Sequence, residues 1–263
     1  VQDAGGEGVP PDMWDACVDG SAGGLVDGQD VVLAVDSSNA GIGGAGTGSD
    51  GLTNAAGLTA IGNKETATSV VEYRVKAGTS SFGAWSTTYT APTVDGAYTV
   101  EVRQTDDAGN VSASKSIAFT LDTTKPAVPN AVLSLDSSNA SWTGGTGTSS
   151  DGLTNSGAIT ASTNIEDGAA VEYRVKKDAG SFGNWSTTYT APNTDGSADG
   201  AYTVEVRQTD KAGNASDVQT ITYTLDTRGP DAPNVALTND SSNAGVGGAG
   251  TTSDLITKDG ALN

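Results

Sequence analysis

Apolar and polar residues alternate with a period of two along much of this chain, the pattern of strands with one wet and one buried face. Val70-Val-Glu-Tyr-Arg-Val75 puts Glu72 and Arg74 on one face and Val71, Tyr73 and Val75 on the other. Residues 97–105 put Tyr98, Val100 and Val102 inward and Glu101 and Arg103 outward. Further strands are predicted at residues 31–36, 52–61, 82–89 and 112–121, with Gly- and Ser-rich stretches between them. Short strands separated by regular turn signals predict an all-β sandwich.

The pattern then repeats. Asp95-Gly-Ala-Tyr-Thr-Val-Glu-Val-Arg-Gln-Thr-Asp-Asp-Ala-Gly-Asn110 returns as Asp199-Gly-Ala-Tyr-Thr-Val-Glu-Val-Arg-Gln-Thr-Asp-Lys-Ala-Gly-Asn214. The 263 residues divide into an irregular Gly-rich lead-in (1–30), a first module (31–125), a second (126–229) and a partial third (230–263). Leu121-Asp-Thr-Thr-Lys-Pro126 and Leu225-Asp-Thr-Arg-Gly-Pro230 are short, stiff, proline-bearing linkers, so the modules are expected to stack end to end. The partial third module cannot bury a sandwich core alone. A cut array is the favoured reading; a filament subunit completed by strand exchange is the alternative.

Charge narrows the function. Thirteen Lys and Arg oppose 32 Asp and Glu, giving a net charge of −19. Such a polyanion repels nucleic acid and anionic membranes and attracts divalent cations. No apolar run is long enough to cross a membrane, so no membrane insertion is expected. His is absent, which removes the usual general base and the usual zinc ligand. The acids recur at module-repeated turns rather than in one cleft, so no enzyme is expected. Asp and Asn oxygens are plentiful, and calcium prefers oxygen. The single cysteine, Cys17, lies outside the repeats and leaves the modules without a disulfide.

Two aromatic positions add detail. Tyr98 follows an Asp-Gly turn and resembles the tyrosine corner of immunoglobulin-type sandwiches, with Val100 and Val204 where an antibody domain carries cysteine. Trp85 and Trp185 recur at the same place and are read as packing residues. A glycan-binding face built on them is the competing reading.

Leu121-Asp-Thr-Thr-Lys-Pro126, Trp85-Ser-Thr-Thr-Tyr-Thr-Ala-Pro92 and Tyr98-Thr-Val-Glu-Val-Arg-Gln-Thr-Asp-Asp-Ala-Gly-Asn110 together resemble the bacterial Ig-like extender repeats of giant RTX-type, type I-secreted adhesins. The resemblance implies tandem immunoglobulin-like β-sandwich domains stiffened by calcium. It also implies an extracellular place on the bacterial cell surface, in surface or biofilm adhesion, with any surface or glycan ligand held elsewhere in the parent protein.

In an Ig-type sandwich the B–C and F–G loops lie at the tip where the chain arrives, and the last strand ends at the opposite tip. Asp122 should therefore meet Asp210 and Asn214 of one loop and Glu166 and Asp167 of the other, around a shared calcium ion. Asp226 should serve a third module in the same way. Asp106 and Asn110 are the equivalent loop of module one, facing the lead-in. A second calcium site is expected where the A–B loop, with Asp36 and Asp50 or Asp136 and Asp151, meets the E–F loop, with Asp95 or with Asp195 and Asp199. No stretch has EF-hand spacing.

Overall fold

The computed structural model describes residues 30–61, 64–138 and 145–235. The lead-in up to residue 29, with Cys17, and the third module from residue 236 lie outside the described residues.

Each module is a sandwich of a two-stranded and a four-stranded sheet. In module one, β1 (Asp30–Leu33) pairs antiparallel with β3 (Leu58–Ile61). The other sheet has the order β2 (Leu52–Thr53), β6 (Lys115–Leu121), β5 (Gly96–Thr105), β4 (Val70–Ala77). Module two repeats this. β7 (Asn130–Leu133) pairs with β9 (Ile159–Thr163), and β8 (Leu153–Thr154), β12 (Gln219–Leu225), β11 (Gly200–Thr209) and β10 (Ala170–Lys177) form the larger sheet.

The period-two pattern dictates the core. Val100 and Val102 of β5 are fully buried with Phe119 and Leu121 of β6; Val204, Val206, Tyr223 and Leu225 repeat them. Each such side chain contributes about 1.5–3 kcal/mol by leaving water. The expected tyrosine corner is formed: Tyr98 Oη donates to the Val94 carbonyl (2.7 Å) and Tyr202 Oη to the Ala198 carbonyl (2.7 Å). Each phenol ties its turn to the strand that follows. Tyr98 stacks on Phe119, and Tyr202 on Tyr223, at 5.8 and 5.2 Å between centroids.

Three expected strands are corrected. Residues 52–61 are two strands on different sheets. β2 runs parallel to β6, whereas β3 pairs with β1. Thr53 is the pivot. Its buried hydroxyl donates to the Val35 and Ala55 carbonyls, which fixes the bend between the two. Residues 82–89 form one isolated bridge, Tyr73 to Ser86, instead of a strand. Phe82 and Trp85 lie against the Arg74 guanidinium on the sheet's outer face, whereas Tyr89 packs against the core and donates to the Ala56 carbonyl at 2.7 Å. The last strand of module one begins at Lys115 rather than at residue 112, because Ser112 is occupied in closing the preceding loop, accepting the Gln104 N–H at 3.0 Å.

The outer face carries the paired charges that alternation predicted. Glu72 lies opposite Arg103, and Arg74 opposite Glu101, and both pairs bond, at 2.9 and 2.5 Å. Trp85 covers them, with its ring 4.5 Å from the Arg74 guanidinium carbon and 4.1 Å from that of Arg103. Module two repeats the ladder at Arg174, Trp185 and Arg207. This cover leaves the outward residues of β4 half-buried and blurs the clean alternation read from sequence.

Candidate functional site: the junction between modules

The two modules meet through loops. The long first loop of module one, between β1 and β2, lies at its trailing tip. It rests on the leading tip of module two, made by the loop between β9 and β10 and the loop after β11. Asn39 is the centre of this contact. It is 1% exposed. Its amide nitrogen donates to the Gly168 carbonyl (3.0 Å) and the Thr209 carbonyl (2.9 Å), while its Oδ1 accepts the Gly46 N–H (2.8 Å). One short side chain thus closes its own loop and bonds two carbonyls of the next module. The Ala45 N–H also donates to the Gly168 carbonyl (3.0 Å).

Around Asn39 the approach is close. A Cβ on Gly46 would stand 2.2 Å from the Lys211 carbonyl oxygen, so only glycine fits. Ser37 Oγ donates to the Ala212 carbonyl (2.7 Å) and accepts the Asn54 N–H (2.7 Å). Gly213, at φ +91°, lets the loop turn against Ser37, Ser38 and Asn54.

Four of the anticipated ligand residues gather here: Asp122, Glu166, Asp210 and Asn214. Asn214 Nδ2 donates to the Asp122 carbonyl (2.8 Å) and to Asp210 Oδ2 (2.9 Å), and the Asn214 N–H donates to Asp210 Oδ1 (2.8 Å). Asp210 is 1% exposed. Burial raises the pKa of Asp122, and the Asp210 and Asp95 charges push it the same way. Glu166 is raised by desolvation and then by the Asp210 and Asp122 charges, with Lys211 opposing. The three carboxylates therefore repel one another across the junction. Asp167 stands apart, fully exposed, with its carboxylate 3.0 Å from Lys211 Nζ.

The second anticipated grouping does not assemble as expected. Asp95 lies against the linker, where its carboxylate accepts the Thr123 N–H and hydroxyl (2.8 and 2.6 Å) and the Thr124 hydroxyl (2.6 Å). These bonds lower its pKa, the Thr123 hydroxyl most. Asp199 does the same for Thr227 in module two. Asp195 binds Ser197 within its own turn. Asp50 accepts the Leu52 and Thr47 N–H groups, and Asp151 those of Leu153 and Thr148, as turn caps. Short-range backbone donors outcompete a distant partner for these flexible, exposed carboxylates.

Asp36 and Asp136 differ. Oδ2 of each accepts a glycine N–H, from Gly51 (3.1 Å) and Gly152 (3.0 Å). Oδ1 of each is buried with no hydrogen-bond partner. Asp106 and Asn110 repeat the Asp210–Asn214 bonds in module one, at an exposed tip. Asp226 is exposed at the trailing tip of module two. Among the described residues, no three Asp, Glu, Cys or His side chains converge tightly enough to hold a metal by themselves.

Sequence reasoning missed Asn39, Ser37 and Gln208. Gln208 is fully buried; its Oε1 accepts the Glu166 N–H, and its Nε2 donates to the Ala127 and Asn164 carbonyls (2.6 and 3.0 Å). The available signal was repetition: Asp-Ser-Ser-Asn-Ala occurs at residues 36–40, 136–140 and 240–244.

A two-sheet sandwich with a tyrosine corner, joined head to tail to a second copy of itself, defines a tandem immunoglobulin-like protein. The bacterial Ig-like domain family matches residues 31–123 and again 132–227, and the chain belongs to that family. Domains of this family are typical of bacterial surface and adhesin proteins. A search of characterised proteins returns no match. Among solved structures, the fibronectin(III)-like modules of Clostridium thermocellum CbhA align at 14% identity and TM-score 0.39, over 67% of this chain and 88% of theirs.

Proposed function

We propose that the chain is an extender segment of a bacterial cell-surface adhesin, made stiff at its module junctions by calcium. The observation that carries this reading is the junction itself. Asn39 and Ser37 seat one module on the next, while Asp122, Asp210 and Glu166 repel across the same contact.

The donor set suits a hard cation. Carboxylate, carboxamide and carbonyl oxygens surround the junction, and the unpaired buried Oδ1 atoms of Asp36 and Asp136 mark a second location in each module. The junction carboxylates do not form a complete cage. A calcium ion there would draw further oxygens from Asn214 and the backbone, within the six to eight that calcium takes. Bound calcium would supply the positive charge that cancels the repulsion. The chain's own residues set the angle and register. No chemistry is asked of the site, in keeping with a non-enzymatic spacer.

Trp85 and Trp185 give little support to glycan binding, because guanidinium groups already lie against their rings. Completion of the third module by strand exchange concerns residues outside the described ones.

The test is thermal melting and X-ray scattering of the chain in calcium and in chelator. A spacer of this kind melts higher and scatters as a longer, straighter particle in calcium. Equal melting temperatures and equal dimensions would overturn it.

A further inference from the structure

We propose that Lys211 is the built-in counter-ion of the module junction, supplying part of the charge that a bound calcium ion would bring and so setting how much calcium the junction needs. The place of Lys211 in the junction is set by geometry alone; its competition with calcium rests on the calcium reading above.

The sixteen residues from Asp95 to Asn110 and from Asp199 to Asn214 differ at a single position, where Asp107 of module one becomes Lys211 of module two. Three neighbours change with it. Counting back from the starts of β4 and β10, Thr66, Ala67 and Thr68 of module one give way to Glu166, Asp167 and Gly168. Two acids, a lysine and a glycine thus arrive together at the tip that meets module one.

The glycine makes room for the lysine. A Cβ on Gly168 would stand 2.1 Å from Lys211 Cε and 3.0 Å from the Ala45 Cβ. The Lys211 stem therefore lies over Gly168, in the seam between the modules, and its own carbonyl faces Gly46. Its ammonium reaches Asp167 Oδ2 at 3.0 Å and holds the one anticipated ligand of this tip that stands outside the carboxylate group. The same charge favours ionised Glu166, which desolvation and the Asp210 and Asp122 charges disfavour. Lys125 of the linker is paired instead with Asp217, at 3.1 Å. In module one no ammonium stands at this position; Asp107 accepts the Thr68 hydroxyl.

Asp122, Glu166 and Asp210 with one ammonium beside them attract a divalent cation less strongly than they would without it. Lys211 and calcium act on the same charges, so each weakens the hold of the other, and the coupling is reciprocal. For a partly screened charge at the edge of such a site, that coupling is worth about a three- to tenfold change in affinity.

Charge variants of the full chain test this, by calcium titration calorimetry at low salt and by X-ray scattering in chelator. Lys211→Gln keeps much of the stem over Gly168 and removes the charge. It should bind calcium at the junction about three- to tenfold more tightly, and in chelator its distribution of interdomain distances should broaden. Lys211→Arg should stay near the native chain in both measurements. Lys176→Gln makes the same change in net charge at the far end of β10, against the Phe182 ring, and should alter neither. Adding Asp122→Asn to Lys211→Gln should remove the gain in affinity, which assigns it to the junction. An affinity unchanged by Lys211→Gln, or raised as much by Lys176→Gln, overturns the competition with calcium. A distance distribution in chelator that Lys211→Gln leaves unchanged overturns the counter-ion. If neither the native chain nor Lys211→Gln binds calcium, the calcium reading of the junction falls, and the chelator measurement alone decides for or against Lys211.

Discussion

Asn39 shows how much a single residue does at this junction. Its amide bonds two carbonyls of the next module and its oxygen closes its own loop, so Asn39→Ala removes three hydrogen bonds at once. Gly46→Ala acts on the junction alone, because the added methyl meets the Lys211 backbone and Asn39 Oδ1 and no core side chain. We expect Gly46→Ala to leave the core of each module intact while loosening their relative orientation, read as a broadened distance distribution by X-ray scattering. Gln208 works inside its own module. Gln208→Leu leaves the Glu166 N–H and the Ala127 and Asn164 carbonyls without partners, which should cost about 2–4 kcal/mol in urea unfolding of module two. Tyr202→Phe removes one corner bond and should cost about 1 kcal/mol by the same measurement.

At the scale of elements, the junction is a loop-on-loop contact, which makes it sensitive to charge. The pKa values of Asp122 and Glu166 are raised in the docked state. Docking therefore takes up protons. Its favourable contribution is full below the ordinary carboxylate range and is lost as pH rises through the raised values. Without divalent cations, the modules should dock more tightly as pH falls from neutral towards that range, seen as a narrowing distribution of interdomain distances. Asp95 behaves in the opposite sense. Its hydrogen bonds to Thr123 and Thr124 lower its pKa, so the linker clamp persists above the ordinary carboxylate range and is lost as pH falls through the lowered value. Saturating calcium should flatten the first dependence and leave the second in place.

At the scale of the whole molecule, the same sandwich, corner and ladder occur twice among the described residues, and the linker between them is short. Stability is then set by each module plus one interface term, as in other repeat arrays. Loosening the junction should separate one unfolding transition into two in calorimetry, without lowering the more stable of them. That outcome is expected of Gly46→Ala, and a single undisturbed transition would count against a junction that couples the modules.

The fold and its repetition were written in the sequence, because strand alternation and turn chemistry are local. Val100, Val102, Glu101 and Arg103 could be placed by counting alone, and Tyr98 by its distance from Asp95-Gly. The order in which loops meet at a tip follows from the immunoglobulin connectivity, so the gathering of Asp122, Glu166, Asp210 and Asn214 was legible too. What counting could not give was the choice each polar side chain makes among partners close in space. Asp95 and Asp50 turned to nearby backbone and hydroxyl donors rather than to each other. Asn39, one polar residue in a Gly-rich loop, was indistinguishable from an ordinary turn residue until the second module stood 170 residues away in sequence and 2.9 Å away in space. Hydrogen bonds across such a separation are set by how two folded surfaces meet, and only the tertiary structure decides that.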